Sequence, residues 1–552
     1  MSRGRVAAAV LAICVAVVPV RADELRQEPP ASWHAEGGSG VVACGGPGRE
    51  AVEAGLAVLE EGGNAIDAAA ATLLVLCVID SGNFCFGGEC PILVYDAKRG
   101  VVEVIAGVGA APRLATLEYF RAAGGIPRSG AAAAAVPGAF DGILTALERS
   151  GTITLARAAR AMLAVLDARS DGWCRDLART MRELIAAEAT AADRRQGLRR
   201  AADHFYRGPI ARRIDAWSRG SGCLIRAADL ATHVTRVEDP LMAEYRGHTI
   251  VKCGPWSQGP MLLEAVRLLE GSDVKSSGAD RAAAVHLMTE SLKLALADRD
   301  AHYGDPLFAD VPLVDLLAEP YTLARRRLID VALASWELRP GRPVDSARPG
   351  DPPPASPSEG RRQRDTTTCV VADAHGNVVA ATPSGWAGVV AGDTGIMLGS
   401  RLQSFALDAD HPNRIEPGKR PRITLTPTLV LQAGRPVLAI SVAGGDVQDQ
   451  VTLQLLVDLL DDGMTPAEAV TRPRFQTNHH VGSFGQTPPQ LGSLVLEKGF
   501  DQATVERLRA LGHDVTLVAG PIGDPVVLRL DPPTGRKEAA GDPRSRRQAA
   551  AE

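Results

Sequence analysis

At 552 residues, with 60 basic and 65 acidic side chains and a net charge of −5, the chain lacks the basic face or stripe that a nucleic-acid binder presents. Hydrophobic residues at 45% and charged residues at 23% fit an ordinary soluble globular protein, and aromatics at 4% leave the core to Ala, Val and Leu. The length leaves room for two to four domain-sized units.

Arg3 and Arg5 precede an apolar run at 6–20, and Val20-Arg21-Ala22 offers a small-residue cleavage site. That is the pattern of a secretory signal peptide at 1–22, which predicts export to the periplasm or beyond. No later segment is long and apolar enough to cross a bilayer. Eight cysteines remain after Cys14, and Cys85 and Cys90, flanking Gly87 and Gly88, are candidates for a bridge. There is no zinc-type CxxC pair, and His479-His480 reads as a loop, so no metal is expected.

A helical period at 51–61 closes at Gly62 and Gly63, and a second helix begins near Asn64 and runs to about Cys77. Residues 91–105 read as a hairpin turning at 96–100. Residues 152–219, rich in Ala and Arg, are predicted helical, as are 282–300. Proline then accumulates at 338–364, a stretch too polar to order itself by burial. From Asp365 onward the pattern is β, with several alternating strands and two later helices. No P-loop, GxGxxG, HExxH or GxSxG pattern is present, so no cofactor is expected.

The β-branched run Asp365-Thr366-Thr367-Thr368-Cys369-Val370-Val371 follows the proline-rich stretch, and a second strand starts at Val378. A three-residue loop between Asp373 and Asn377, with Gly376 left-handed, joins them as a hairpin. In that register paired positions sum to 750, which sets Thr366 opposite Ser384 at a Cβ separation of about 5 Å. A threonine hydroxyl needs a base, and an N-terminal threonine carries one in its α-amine, of pKa about 7.7–8.0. Cleavage between Asp365 and Thr366 would create that amine, with Ser384 orienting the nucleophile. Read alone, three threonines are simply good strand sequence. A second element adds weight: an apolar strand at 437–442, then Gly444 and Gly445, then a helix opening at Asp446 as N-cap and running to about Asp462. Glycine amides at a helix N-terminus make an oxyanion hole, or else merely a tight turn.

Several ordered segments resemble the γ-glutamyltranspeptidase family: EEGGNAIDA at 60–68, FYRG at 205–208, ADRD at 297–300 with GDP at 304–306, KRP at 419–421 and GDPR at 541–544. The resemblance implies an α+β, four-layer αββα sandwich of the N-terminal-nucleophile hydrolase type. It implies a large subunit at 23–365, a small subunit at 366–552 and their association as a heterodimer after self-cleavage. It places the nucleophile on Thr366, the supporting hydroxyl on Ser384 and the oxyanion glycines on Gly444 and Gly445.

The glutamate pocket departs from the family pattern. The arginine that would grip the α-carboxylate falls on Val108, the aspartate for the α-amine on Ser404, the serine pair on Ile423 and Thr424, and the asparagine on Trp386. An isopropyl group cannot replace a bidentate guanidinium. Arg401 or Arg113 remains as a substitute cation. The expected substrate is therefore a γ-glutamyl amide such as glutathione, or another small acyl amide of the cephalosporin-side-chain or oxamate type. A non-catalytic exported binding scaffold is the rival.

Overall fold

The computed structural model describes residues 32–275, 280–343 and 366–552. The expected signal segment at 1–22, Asp365 and most of the proline-rich stretch lie outside the described residues.

Among the described residues there are seventeen strands. The first seven are β1 (His34–Gly37), β2 (Val41–Cys44), β3 (Cys90–Asp96), β4 (Val101–Gly107), β5 (Arg236–Glu238), β6 (Leu241–Tyr245) and β7 (His248–Lys252). After residue 366 come β8 (Cys369–Ala372), β9 (Val378–Ala381), β10 (Thr428–Gln432), β11 (Arg435–Ala443), β12 (Phe475–Gln476), β13 (Ser493–Glu497), β14 (Asp514–Val518), β15 (Asp524–Leu530), β16 (Lys537–Gly541) and β17 (Gln548–Ala551). Two seven-stranded antiparallel sheets run β1-β16-β15-β11-β10-β7-β6 and β17-β2-β8-β9-β3-β4-β5, and β12-β13-β14 make a small third sheet. Each large sheet draws strands from both sides of residue 366. The two segments expected as subunits are therefore woven together rather than folded as separate units.

Three apolar layers separate four structural layers. Helices Ala65–Ile79 and Ala139–Ser150 pack on the second sheet and helices Gly259–Leu269 and Gln448–Leu456 on the first, while Gly172–Glu188 and Arg281–His302 join the same apolar clusters by packing against other helices. Between the sheets lie Val41, Ala43, Val370, Ala372, Val378 and Ala380 from one side, and Val251, Leu429, Ala439 and Leu528 from the other. The strand period of two decides which face each residue serves: Val370 and Ala372 face the partner sheet, while Cys369 and Val371 face the helices. Burial on both faces explains why these strands read as unbroken apolar runs.

The helices follow local chemistry. Asn64 caps Ala65–Ile79 in a reciprocal capping box with Asp67. The helix near Gly444 differs from its expected form. A single turn at Gly445–Val447 leads into Gln448–Leu456 and then a wider turn at Val457–Asp461. Asp446 does not cap it, because its carboxylate is drawn to other partners. Three helices, not two, follow Thr366: this one, Pro466–Thr471 and Gln502–Ala510. The eight cysteines from Cys44 to Cys369 are buried free thiols, so Cys85 and Cys90 are not bridged. Among the described residues no helix is long and apolar enough to cross a membrane.

The sheets are tied where β9 ends. Ser441 on β11 donates its hydroxyl proton to Ala381 O at 2.8 Å, so Thr382 must donate to Ser441 Oγ, also at 2.8 Å. Both hydroxyls are buried. Ser441→Ala is expected to leave the buried Thr382 hydroxyl without its acceptor and to cost about 1–3 kcal/mol, read as a lower denaturation midpoint. The double variant with Thr382→Val should lose less than the sum of the two single changes.

Candidate active site

The hairpin of β8 and β9 pairs Cys369 with Ala381, Val370 with Ala380, Val371 with Val379 and Ala372 with Val378. Gly376 takes φ 86° in the connecting loop. The Asp373 carboxylate fastens that loop, accepting from His375 N at 2.8 Å, Asn377 N at 3.0 Å and Asn377 Nδ2 at 2.7 Å. It also accepts from Ala65 N at 2.9 Å, which anchors the hairpin to a helix N-terminus. The regular ladder stops at Pro383, which has no N–H to give. The register nevertheless persists, because an isolated antiparallel bridge joins Thr366 to Ser384. Both residues are buried. They continue the even-numbered row of Val378, Ala380 and Thr382, the row that faces the other sheet.

Ser384 is held from its other side by Glu89. Ser384 N donates to Glu89 O at 2.9 Å, and Glu89 N donates to Ser384 O at 3.0 Å. This approach needs glycine at position 88, where a Cβ would stand 2.1 Å from Ser384 O. Arg401, in the short turn Arg401–Ser404, closes the arrangement. Its Nε donates to Glu89 Oε1 at 2.5 Å, and its Nη2 donates to Ser384 Oγ at 2.8 Å. Since Ser384 Oγ accepts from Arg401, its own proton is directed elsewhere.

Gly444 and Gly445 follow β11 with φ of 136° and 63°, values an L side chain rarely adopts. Three residues earlier on the same strand is Ser441, so its bond to Thr382 brings this turn to the end of the sandwich where Ser384 lies. The Phe484 ring backs the turn: a Cβ on Gly445 would meet it at 3.0 Å. The same ring lies under the Arg401 guanidinium, 5.5 Å from centroid to Cζ. Asp446 accepts from Ser483 N at 2.9 Å, from Ser483 Oγ at 2.5 Å and from Arg299 Nη1 at 2.5 Å. Arg299, fully buried, also pairs with Asp300 and donates to Gln258 Oε1 and Val481 O. Arg422 adds bonds to Asp300 Oδ1 and Ser483 Oγ, each at 3.2 Å. This charged cluster fixes the 481–484 loop against the glycine turn.

The remaining sequence-derived positions are dispersed around this centre. Ser404 is buried in the same turn as Arg401, and its backbone oxygen accepts from Asn413 Nδ2 at 2.7 Å. Thr424 is buried, and its carbonyl accepts from the Gln448 amide when that amide is turned to donate, at 3.0 Å. Trp386 is half-buried, two residues past Ser384. Val108 and Ile423 belong to the apolar layer between the sheets. Arg113 is 62% exposed and pairs with Asp229 at the rim, so of the two candidate cations Arg401 alone reaches Ser384. Sequence reasoning missed Glu89, Phe484 and the partners of Asp446. Gly87-Gly88 was a usable signal of close backbone approach for the first, but nothing local marked Phe484.

The interleaved sheets and the threonine opposite a serine at their end define the N-terminal-nucleophile hydrolase fold. Residues 51–167 and 173–552 match the family described as Gamma-glutamyltranspeptidase, and the chain belongs to that family. It is 30% identical to the glutathione hydrolase proenzyme of Escherichia coli (strain K12), over 90% of this chain and 89% of that one. It is 31% identical to the Acylase ACY 1 proenzyme of Pseudomonas sp. (strain SE83), covering 90% of each. Among solved structures, one described as LmbA2991HD superposes with a TM-score of 0.87 at 32% identity, covering 95% of this chain and all of that one.

Burial alone would raise the Asp446 carboxyl, but Arg299, His480 and the bonds from Ser483 outweigh it and hold the group well below the usual carboxylate range. The unfolded group titrates near 3.9, so this stabilisation is complete above about pH 4 and is lost as pH falls below it. Asp446→Asn should therefore lower stability at pH 7 and show a shallower loss between pH 4 and pH 2.5 than wild type, measured by urea denaturation. Arg299→Met leaves Asp446 without its cation, while Asp300 keeps Arg422, and should cost about 3–5 kcal/mol.

Proposed function

We propose that this chain is an autoprocessing amidohydrolase or acyltransferase that works through an acyl-enzyme on Thr366. The observation that carries the reading is the Thr366–Ser384 bridge, which continues the hairpin register to a serine hydroxyl held by Arg401. In the precursor, Thr366 Oγ1 attacks the Asp365 carbonyl. The Thr366 amide becomes an amine as the ester forms, and water releases the ester to leave a free α-amine. A large subunit at 23–365 and a small subunit at 366–552 result, held together by their shared sheets.

In the mature enzyme the α-amine takes the Thr366 hydroxyl proton while Oγ1 attacks the substrate carbonyl. The tetrahedral oxyanion is received by the amides of Gly444 and Gly445, aided by the helix that follows. The amine passes its proton to the leaving nitrogen as the C–N bond breaks. Water, or an acceptor amine, then attacks the acyl-enzyme and regenerates the hydroxyl. Ser384 keeps Oγ1 in line, and Trp386, Ser404 and Thr424 line the acyl side. The segment at 1–22 acts as a secretory signal and places this chemistry outside the cytoplasm.

The substrate is an acyl amide, and the substitutions at the glutamate pocket favour one other than a γ-glutamyl compound. The similarity to a glutathione hydrolase and to an acylase fits both branches of that choice. Val108 and Ile423, packed between the sheets, supply no group for an α-carboxylate.

Wild type and Thr366→Ala should be compared by denaturing gel and intact mass. Wild type should appear as two chains, the smaller beginning at Thr366, while the variant stays whole and loses amidase activity. kcat/KM should rise with pH to a plateau above about pH 8, following deprotonation of the α-amine. A folded wild type that stays uncut would leave the binding-scaffold reading in its place.

A further inference from the structure

Cys369 is the one cysteine that follows Thr366 in the sequence, and it opens β8. On the neighbouring strand β2, Cys44 lies directly opposite Cys369. One of the two precedes the cleavage point and the other follows it, so the pair faces across the seam between the two expected chains. The hydrogen bonds around it define the kind of antiparallel pair. Gly45 N donates to Thr368 O at 2.9 Å, so positions 45 and 368 form a hydrogen-bonded pair and the next one, Cys44 with Cys369, does not. The flanking strands agree. Glu552 N donates to Gly40 O at 2.8 Å and Thr367 N to Pro383 O at 2.9 Å. Alternation along each strand then turns the peptide groups of Cys44 toward β17 and those of Cys369 toward β9. In a non-hydrogen-bonded pair the Cα atoms are about 4.5 Å apart, within the range of about 4.4–6.8 Å that a disulfide accepts. Both side chains serve the helical face, and both are fully buried. Cys90 does not compete for Cys369. It lies on β3, beyond β9, and two strand spacings of about 4.8 Å exceed the span of about 7 Å that a bridge can close.

We propose that Cys44 and Cys369 are an oxidation site, joined in the exported protein by a disulfide that links the large and small chains covalently after self-cleavage. This rests on the export and self-cleavage readings above. The structure holds the two residues as thiols, the reduced form of the pair. The oxidant is a disulfide donor of the oxidising compartment beyond the cytoplasm. One cysteine thiolate attacks a donor sulfur, forming a mixed disulfide and releasing one donor thiolate. The second cysteine thiolate then attacks the first cysteine's sulfur and releases the other donor thiolate. The two cysteines lose two electrons and two protons, and the donor is reduced to two thiols. Exchange precedes burial, because in the fold neither sulfur is exposed and burial pushes both thiols well above their ordinary range. The same burial shields the finished bond from reductant. The bond also bears on the nucleophile. Cleavage makes Thr366 a chain end, and chain ends fray unless tied down. A bond at Cys369 fastens the start of β8 to β2 and so keeps Thr366 opposite Ser384.

The test uses the full chain exported from a bacterial host, with free thiols capped by N-ethylmaleimide at lysis. On a denaturing gel without reductant, wild type should run as one joined species, and with reductant as two chains. Peptide mapping should find Cys44 joined to Cys369. Cys44→Ala and Cys369→Ala should each give two separate chains without reductant. Dithiothreitol should leave the joined species intact in the native protein and split it in urea. Separate chains in unreduced wild type, with both cysteines capped, overturn the proposal, as does Cys369 mapped to any other partner. If either variant fails to fold, the wild-type map decides the matter. The readings beneath the proposal fail in different ways. A wild type that stays one chain after reduction in urea removes self-cleavage, while the map still reports whether Cys44 and Cys369 are joined. Protein retained inside the cell removes export. That protein is then unfolded in urea and refolded with glutathione disulfide before capping, where a bridge from Cys44 to Cys369 supports the pairing and its absence overturns it.

Discussion

Side chains alternate faces along a strand, so a slip of one residue between β8 and β9 would turn Ser384 away from Thr366 and send the Thr382 hydroxyl into the helical layer. The register of this hairpin is therefore the constraint on which the site rests. It is set at two levels. Locally, Gly376 and the Asp373 carboxylate impose one loop geometry. Globally, both faces are apolar and buried, with Val370 and Ala372 on one and Cys369 and Val371 on the other, and neither face tolerates exchange. The hydroxyls at 366 and 384 are the polar continuation of the inter-sheet row, past the point where Pro383 interrupts the ladder.

The glycine turn is fixed by charge rather than by apolar packing. The helix that follows it is held at two successive carboxylates, Asp446 by Arg299 and Asp449 by Lys252. Lys252 is wholly buried and spends its donors on Thr426 O, Thr428 Oγ1 and Asp449 Oδ1. Burial pushes the Asp449 carboxyl up to about 6 against the opposing ammonium, whereas Arg299 and its neighbours keep Asp446 far below that. Desolvation thus exceeds attraction at one pair and yields to it at the other. Such buried pairs are poor sources of net stability. Here their directional bonds fix one orientation of the turn, as the proposed oxyanion role of the Gly444 and Gly445 amides would require, since donors already in place need no reorganisation during reaction.

Much of this was legible in the sequence because it is periodic or local. The helix at Ala65–Ile79 announces itself through Asn64 and Asp67, the hairpin at β3 and β4 through two apolar runs on either side of a turn, and the Thr366–Ser384 pairing through loop length and one glycine. What stayed hidden depends on contacts between distant segments. Asp446 looks like an N-cap by position, yet Arg299 and Ser483, from remote parts of the chain, compete for its oxygens and win. Glu89 and Arg401 are 312 residues apart, and no local pattern joins them. The interleaving of strands across residue 366 likewise follows from sheet order, which length and composition do not encode.

The same distinction bears on specificity. Val108 and Ile423, where the family pattern expects polar groups for a glutamate headgroup, are packed in the apolar layer between the sheets. Returning a guanidinium to position 108 alone would bury a charge among aliphatic side chains with no counter-ion, so the change is not a simple reversal. Arg401 instead lies on the turn that carries Ser404, with Glu89 as its partner and Ser384 as its contact. A binding scaffold would need neither the directed proton of Ser384 nor a charge-locked glycine turn. Both features beside an altered pocket are consistent with the proposed acyl-transfer chemistry.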